Sequence, residues 1–209
     1  MRKLKTSQPE DAIIVYFAGH GIVQQSRFYL IPHDLGYPGS RTNLNQAGLD
    51  AILAHGISDK ELEQAFEKID AAQFLMVIDT CNSGQALESV EQRRGPMNSK
   101  GLAQLAYEKG MYILAASQSY EQALGVALLV HGLLEYVLIE EALKNGNAAG
   151  NSKDGQVNLR QWLEYAADRV PQIQIEKMGV IRERAQRPRI FYRREPEVIS
   201  LIVVKSGAK

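Results

Sequence analysis

The chain has 209 residues, 45% of them hydrophobic, enough to bury one substantial core in a single domain. Its 24 Lys and Arg cancel its 24 Asp and Glu, and a net charge of +0 gives no global attraction to nucleic acid or to an anionic membrane. One cysteine excludes an internal disulfide and fits a reducing, cytoplasmic compartment.

The first seven residues are basic but lead into polar residues, not into the apolar core of a signal peptide. Residues 12–18 (Ala-Ile-Ile-Val-Tyr-Phe-Ala) form a short apolar run that ends in Gly19-His20-Gly21. Such a run reads as a strand buried on both faces of a parallel sheet. Residues 27–31 read as a short strand or hairpin arm stopped by Pro32, and residues 36–48, rich in Gly, Pro and Asn, as a loop. Ser58 opens a helix: Glu61 completes a capping box, and Leu62, Phe66 and Ile69 follow at helical spacing. Residues 73–78 are a second buried strand, leading into Asp79-Thr80-Cys81-Asn82-Ser83-Gly84. Strand, helix and strand in this order imply a right-handed parallel crossover and an α/β protein.

Residues 87–100 are charged and turn-rich and read as an exposed loop. A helix with Leu102, Leu105 and Ala106 on one face then leads into a strand over residues 111–116. The longest apolar stretch, residues 123–139, is broken by Gly125, His131, Gly132 and Glu135, which excludes a membrane span. Residues 132–143 read as a helix ended by Lys144-Asn145-Gly146. Residues 146–155 lack the carboxylate spacing of a calcium loop, with Gln161 where its closing Glu would stand, and read as a plain loop. Asn158 caps a further helix, residues 182–194 alternate Arg with Glu as a solvated surface does, and residues 198–204 are apolar.

A thiol and an imidazole carried at the ends of two parallel strands, Cys81 and His20, make a candidate catalytic dyad, because open α/β sheets place ligands at the carboxyl ends of their strands. A thiolate is a strong nucleophile, and a nearby imidazole lowers the thiol pKa and later protonates the leaving amine. Gly21 and Gly84 would let the backbone turn sharply toward a substrate and leave N–H groups as oxyanion donors. The competing reading is structural: a lone cysteine as a small buried hydrophobe and a lone histidine as a satisfied polar residue. His33, His55 and His131 have no metal-ligand spacing, so no metal or other cofactor is expected.

With those residues in view, the chain resembles the caspase-like superfamily of cysteine peptidases, and metacaspases and bacterial caspase-like proteins more than animal caspases. Tyr16-Phe17-Ala18-Gly19-His20-Gly21 is similar to the family's histidine motif, and Asp79-Thr80-Cys81-Asn82-Ser83-Gly84 to its nucleophile motif. Phe28 to Pro32 and Gly56-Ile57-Ser58 also fit. Residues 113–117 and 131–134 fit more loosely, and the similarity spans residues 10–195. The resemblance implies a three-layer α/β/α fold with a mainly parallel sheet. It would divide the domain into a large-subunit-like part (10–86), a linker (87–101), a small-subunit-like part (102–195) and a tail (196–209). It implies a cysteine endopeptidase acting on protein or peptide, with Cys81 as nucleophile, His20 as acid and base, and the N–H groups of Gly21 and Cys81 as the oxyanion hole. Asp79 would line an S1 pocket for Arg or Lys at P1, together with Ala18 and Ser117; otherwise Asp79 only caps local backbone. Arg93 and Arg94 fall where the family has a processing linker and would be self-cleavage sites; otherwise that loop is merely solvated.

The sequence departs from the family at two places. Ala18 stands where metacaspases commonly have Ser, which removes a hydroxyl from S1. About ten residues precede the histidine strand, too few for the strand–helix–strand segment with which the family domain begins. Either a partner chain or an N-terminal segment of a longer polypeptide is therefore expected to complete the sheet along that strand, or the fold is trimmed. The opposing expectation is a non-catalytic caspase-like scaffold in a larger regulatory or signalling complex.

Overall fold

The computed structural model describes residues 7–24, 27–34, 37, 45–71, 73–82, 100–118, 132–150, 156–183, 185–193 and 202–205. Its frame is a parallel pair of apolar strands, β1 (Ala12–Gln24) and β4 (Gln73–Asn82), in unbroken register from Ala12↔Gln73 to Gly21↔Asn82. Residues 74–80 of β4 are all buried, as a strand covered on both faces must be. β1 departs from the expectation of two buried faces. Ile13 is 7% exposed, but Ile14 is 54% and Tyr16 43% exposed, so one face of β1 is open among the described residues.

β1 also continues past Ala18, through Gly-His-Gly to Gln24. The cause is β2 (Arg27–Ile31), which folds back antiparallel on it from His20↔Ile31 to Gln24↔Arg27 and supplies ladder partners for an otherwise unpaired backbone. Between the two parallel strands lie α1 (Gln46–His55), β3 (Ile57–Ser58, paired with β2) and α2 (Asp59–Phe66). α2 begins as its sequence dictates. Ser58 Oγ accepts from Glu61 N at 3.2 Å, while the Ser58 N–H donates to Glu61 Oε2 at 2.8 Å. Those bonds, from the Ser58 backbone first and its hydroxyl second, hold the Glu61 carboxyl below its ordinary pKa. The helix buries Leu62 and Phe66, and Phe66 meets Phe74 of β4 edge-to-face at 4.6 Å between ring centroids. Each such side chain contributes about 1.5–3 kcal/mol by leaving water.

α1 is a departure from the sequence reading, which had a loop running to residue 48. Asn45 Oδ1 caps it by accepting from Gly48 N at 2.9 Å, and Ile52 packs with Ile22 and Ile31, so tertiary burial offsets the cost of Gly48 in its first turn. α3 (Lys100–Lys109) packs against α2 through a buried stripe of Leu102, Leu105 and Ala106, and β5 (Tyr112–Gln118) follows. With β7 (Arg189–Phe191), the hydrogen-bonded strand order is β3-β2-β1-β4-β5-β7, parallel between β1 and β4 and antiparallel along the β1–β2–β3 meander.

The chain divides into two compact units, residues 1–113 with 191–193, and residues 114–190 with 194–209. The second holds α4 (Leu133–Tyr136), which widens into a π-helical segment (Val137–Lys144), then β6 (Gln156–Asn158), α5 (Leu159–Met178) and β8 (Ile202–Lys205), which pairs antiparallel with β6. Inside the nominal loop 146–155 lies one short 3-10 turn, Asn147–Ala149. α5 starts on the capping box of Asn158 and Gln161 and docks by Trp162, whose Nε1–H donates to the Leu138 carbonyl at 2.8 Å. Beside it, the buried Glu141 carboxylate accepts from Arg169 Nε at 2.7 Å and from the Tyr165 hydroxyl at 3.2 Å. Among the described residues no helix is long and apolar enough to cross a membrane.

Candidate active site

His20 is delivered by β1 and Cys81 by β4, and the parallel register makes their Cα atoms direct partners. Two positions earlier, Ala18 is the partner of Asp79. Because strand positions alternate between faces, 18, 20, 79 and 81 share one side of the sheet, and Gly19, Gly21 and Thr80 occupy the other. The structure thus brings four of the sequence-predicted positions into a two-by-two block. Ala18 is exposed, His20 half-buried and Asp79 7% exposed.

Two expectations about this block need correction. Neither His20 nor Cys81 stands beyond a strand end: the hairpin with β2 keeps β1 extended to Gln24, and the ladder with β4 runs one pair past the dyad. Nor does Gly21 make a sharp turn. Neither Gly19 nor Gly21 has a positive φ. What their positions require is the absence of a side chain. A methyl built on Gly21 would lie 2.9 Å from Phe28 Cε2, 3.2 Å from Phe28 Cζ and 3.1 Å from Thr80 Oγ1, and one on Gly19 would lie 3.0 Å from the Phe17 ring. The back of β1 is therefore closed at Gly21 by the buried Phe28 ring and the Thr80 hydroxyl, whereas Gly19 meets only the far end of the Phe17 ring.

Phe28 is fully buried and fixed from a second direction. Asp59, 8% exposed in the first turn of α2, accepts from the Phe28 N–H and from Arg27 Nη1, both at 3.5 Å. A carboxylate there also complements the positive end of the helix. The Gly21 backbone is consequently bracketed by Leu30 of β2 and Asn82 of β4 as register partners and by Phe28 and Thr80 on its back face.

Ser117 belongs to β5 and falls in the second unit, whereas Ala18, His20, Gly21, Asp79 and Cys81 all belong to the first. Arg93 and Arg94 lie outside the described residues. Among the described residues no cluster of three His, Cys, Asp or Glu could hold a metal ion. Sequence reasoning passed over Thr80 and Phe28. Strand alternation from Cys81 would have assigned Thr80 to the glycine face, but nothing local to residues 27–31 signals that Phe28 crosses to Gly21.

No curated protein matches the chain. The profile of the family described as caspase domain matches residues 1–189 of the 209. Together with the mostly parallel α/β sheet and the paired histidine and cysteine strands, that match shows that the chain belongs to the caspase domain family of cysteine peptidases.

Proposed function

We propose that the chain is a cysteine endopeptidase in which Cys81 attacks the scissile carbonyl and His20 carries the proton. The observation that supports it is the register His20↔Cys81 in adjacent parallel strands. Neighbouring strands lie about 4.7–4.9 Å apart, so paired positions on one face stand side by side in the sheet. The thiolate adds to the carbonyl, the C–N bond breaks as His20 protonates the departing amine, and water then hydrolyses the thioester with His20 as base. The backbone N–H groups of Gly21 and Cys81 would stabilise the oxyanion of both tetrahedral intermediates once turned out of the ladder that pairs these positions.

Arg or Lys is the residue taken at P1. Asp79 stands two positions before the nucleophile on the same side of the sheet, with Ala18 as its register partner. A guanidinium meeting that carboxylate in two parallel hydrogen bonds is the geometry Arg favours. The same preference would make Arg93 and Arg94 sites of self-cleavage.

The experiment is hydrolysis of fluorogenic peptides with Arg, Lys or Asp at P1, by the wild type, Cys81→Ala and Asp79→Asn, with mass spectrometry of Cys81 after exposure to an electrophilic Arg peptide. Turnover of the basic peptides that is abolished by Cys81→Ala and selectively weakened by Asp79→Asn is expected. No turnover and no adduct at Cys81 would refute the peptidase and leave a non-catalytic scaffold. Clipping at Arg93 or Arg94 that persists in Cys81→Ala would refute self-cleavage alone.

A further inference from the structure

We infer that Thr80 is a positioning residue for the dyad: its hydroxyl, on the back of the sheet, sets how closely the His20–Gly21 backbone approaches β4. The inference rests on the peptidase reading above and adds a residue to it. Thr80 is 1% exposed, and its Oγ1 is the β4 atom that closes on Gly21, 3.1 Å from where a methyl on that residue would sit. Phe28, fully buried and tied to Asp59, closes the same space from the other side at 2.9 Å. Neither neighbour can yield into solvent, and close-packed interiors transmit displacement instead of absorbing it.

The connectivity gives this contact its consequence. Thr80 is bonded to Cys81 and Gly21 to His20, and Cys81 and His20 are register partners. A shift of Gly21 relative to Thr80 on the back face is therefore a shift of His20 relative to Cys81 on the front. It also moves the Gly21 N–H assigned to the oxyanion. Replacing the hydroxyl by the larger methyl of valine keeps the shape and β-propensity of Thr80 but crowds the space beside Gly21, whereas serine keeps the oxygen that lines it.

The test compares Thr80→Val and Thr80→Ser with the wild type, in kcat and KM for an Arg peptide, in melting temperature, and in the amide chemical shift of Gly21. Thr80→Val should lose about tenfold or more in kcat with KM unchanged, since misplacement of the reacting groups is felt in the transition state. Its Gly21 amide should shift, and its melting temperature should fall by no more than that of Gly21→Ala. Thr80→Ser should retain kcat within about threefold, because the contacting oxygen remains. An active, folded Thr80→Val with wild-type kcat, or a Thr80→Ser as impaired as Thr80→Val, overturns the inference and leaves the peptidase standing. A wild type without turnover overturns the peptidase reading and the inference with it. Should Thr80→Val not fold, a double-mutant cycle of Thr80→Ala with Gly21→Ala decides: the loss of kcat caused by Gly21→Ala should be smaller in the Thr80→Ala background, and additive losses overturn the inference.

Discussion

Gly21→Ala is the most direct probe of the packing behind the dyad. Carbon atoms in ordinary contact sit about 3.5–4.0 Å apart, so a methyl 2.9 Å from Phe28 Cε2 intrudes by about 0.6–1.1 Å. Phe28 is 0% and Thr80 1% exposed, so the intrusion must be relieved by moving strands and not by swinging a side chain into water. Overpacking of that kind costs about 1–3 kcal/mol. At about 2–4 °C per kcal/mol for a chain of this size, melting should fall by about 2–12 °C. Activity should suffer more, because a displacement approaching 1 Å beside a catalytic group costs about a hundredfold in rate.

Two glycines serve as internal standards, followed by calorimetry and by turnover of an Arg peptide. Gly19→Ala meets only the half-buried Phe17 ring at 3.0 Å, a side chain free to tilt, and should cost less than Gly21→Ala. Gly110 has φ 60° and open space around it, so alanine there costs about 1–2 kcal/mol of backbone strain and leaves kcat untouched. A Gly21→Ala protein with wild-type melting, or one less damaged than Gly19→Ala, would refute the packing argument.

Glu141→Gln should change the acid limb of stability. Burial pushes the Glu141 carboxyl up, but the hydrogen bond and charge of Arg169 and the Tyr165 hydroxyl outweigh it, and the net pKa lies below the ordinary carboxylate value. A lowered folded-state pKa contributes stability that is present above the unfolded value and lost as pH falls through the folded one. The variant should therefore cost up to about 3 kcal/mol at neutral pH, the lower end for a broken buried pair because the Arg169 side chain keeps 24% exposure. It should also lose part of the wild type's decline in urea stability on acidification; an unchanged pH slope would refute the assignment. Ser58→Ala removes the hydroxyl half of the α2 capping box, leaving the residue-58 N–H bonded to Glu61, and should cost about 1 kcal/mol. Carboxyl titration by NMR should show Glu61 rising only part of the way toward its ordinary value, because the residue-58 N–H, the larger cause, remains; an unmoved Glu61 would refute the hydroxyl's share.

What could be read from the sequence was what local chemistry determines. The Ser58 box needs only Ser58 and Glu61, and β4 needs only an apolar run between turn formers, so both were legible. α1 was not, because Gly48 and the surrounding Gly, Pro and Asn mimic a loop, while the contacts that stabilise it, Ile52 with Ile22 and Ile31, come from distant strands. The open face of β1 was hidden for a related reason: its residues carry the same apolar pattern as β4, and burial depends on what else covers the sheet. The π-helical widening at Val137 has no sequence signature that separates it from an α-helix.

At the candidate site, the residues were legible but the geometry was not. Two motifs in the right order give the identities of His20 and Cys81, but not that these two positions are paired instead of being offset by one. An offset of one residue would send one member of the dyad to the opposite face of the sheet. The structure supplies the register and shows features that reinforce it. Glycines at 19 and 21 leave the back of β1 without Cβ atoms at those two positions, and Phe28 and Thr80 occupy the space beside Gly21. Sliding β1 by one position would bring His20 into the face closed by Phe28 and Thr80, where a methyl at Gly21 already clashes and an imidazole is far larger. The Gly-His-Gly pattern therefore reads best as a register lock. Its glycines exclude the wrong face, and His20 is left only the side on which the position of Cys81 lies.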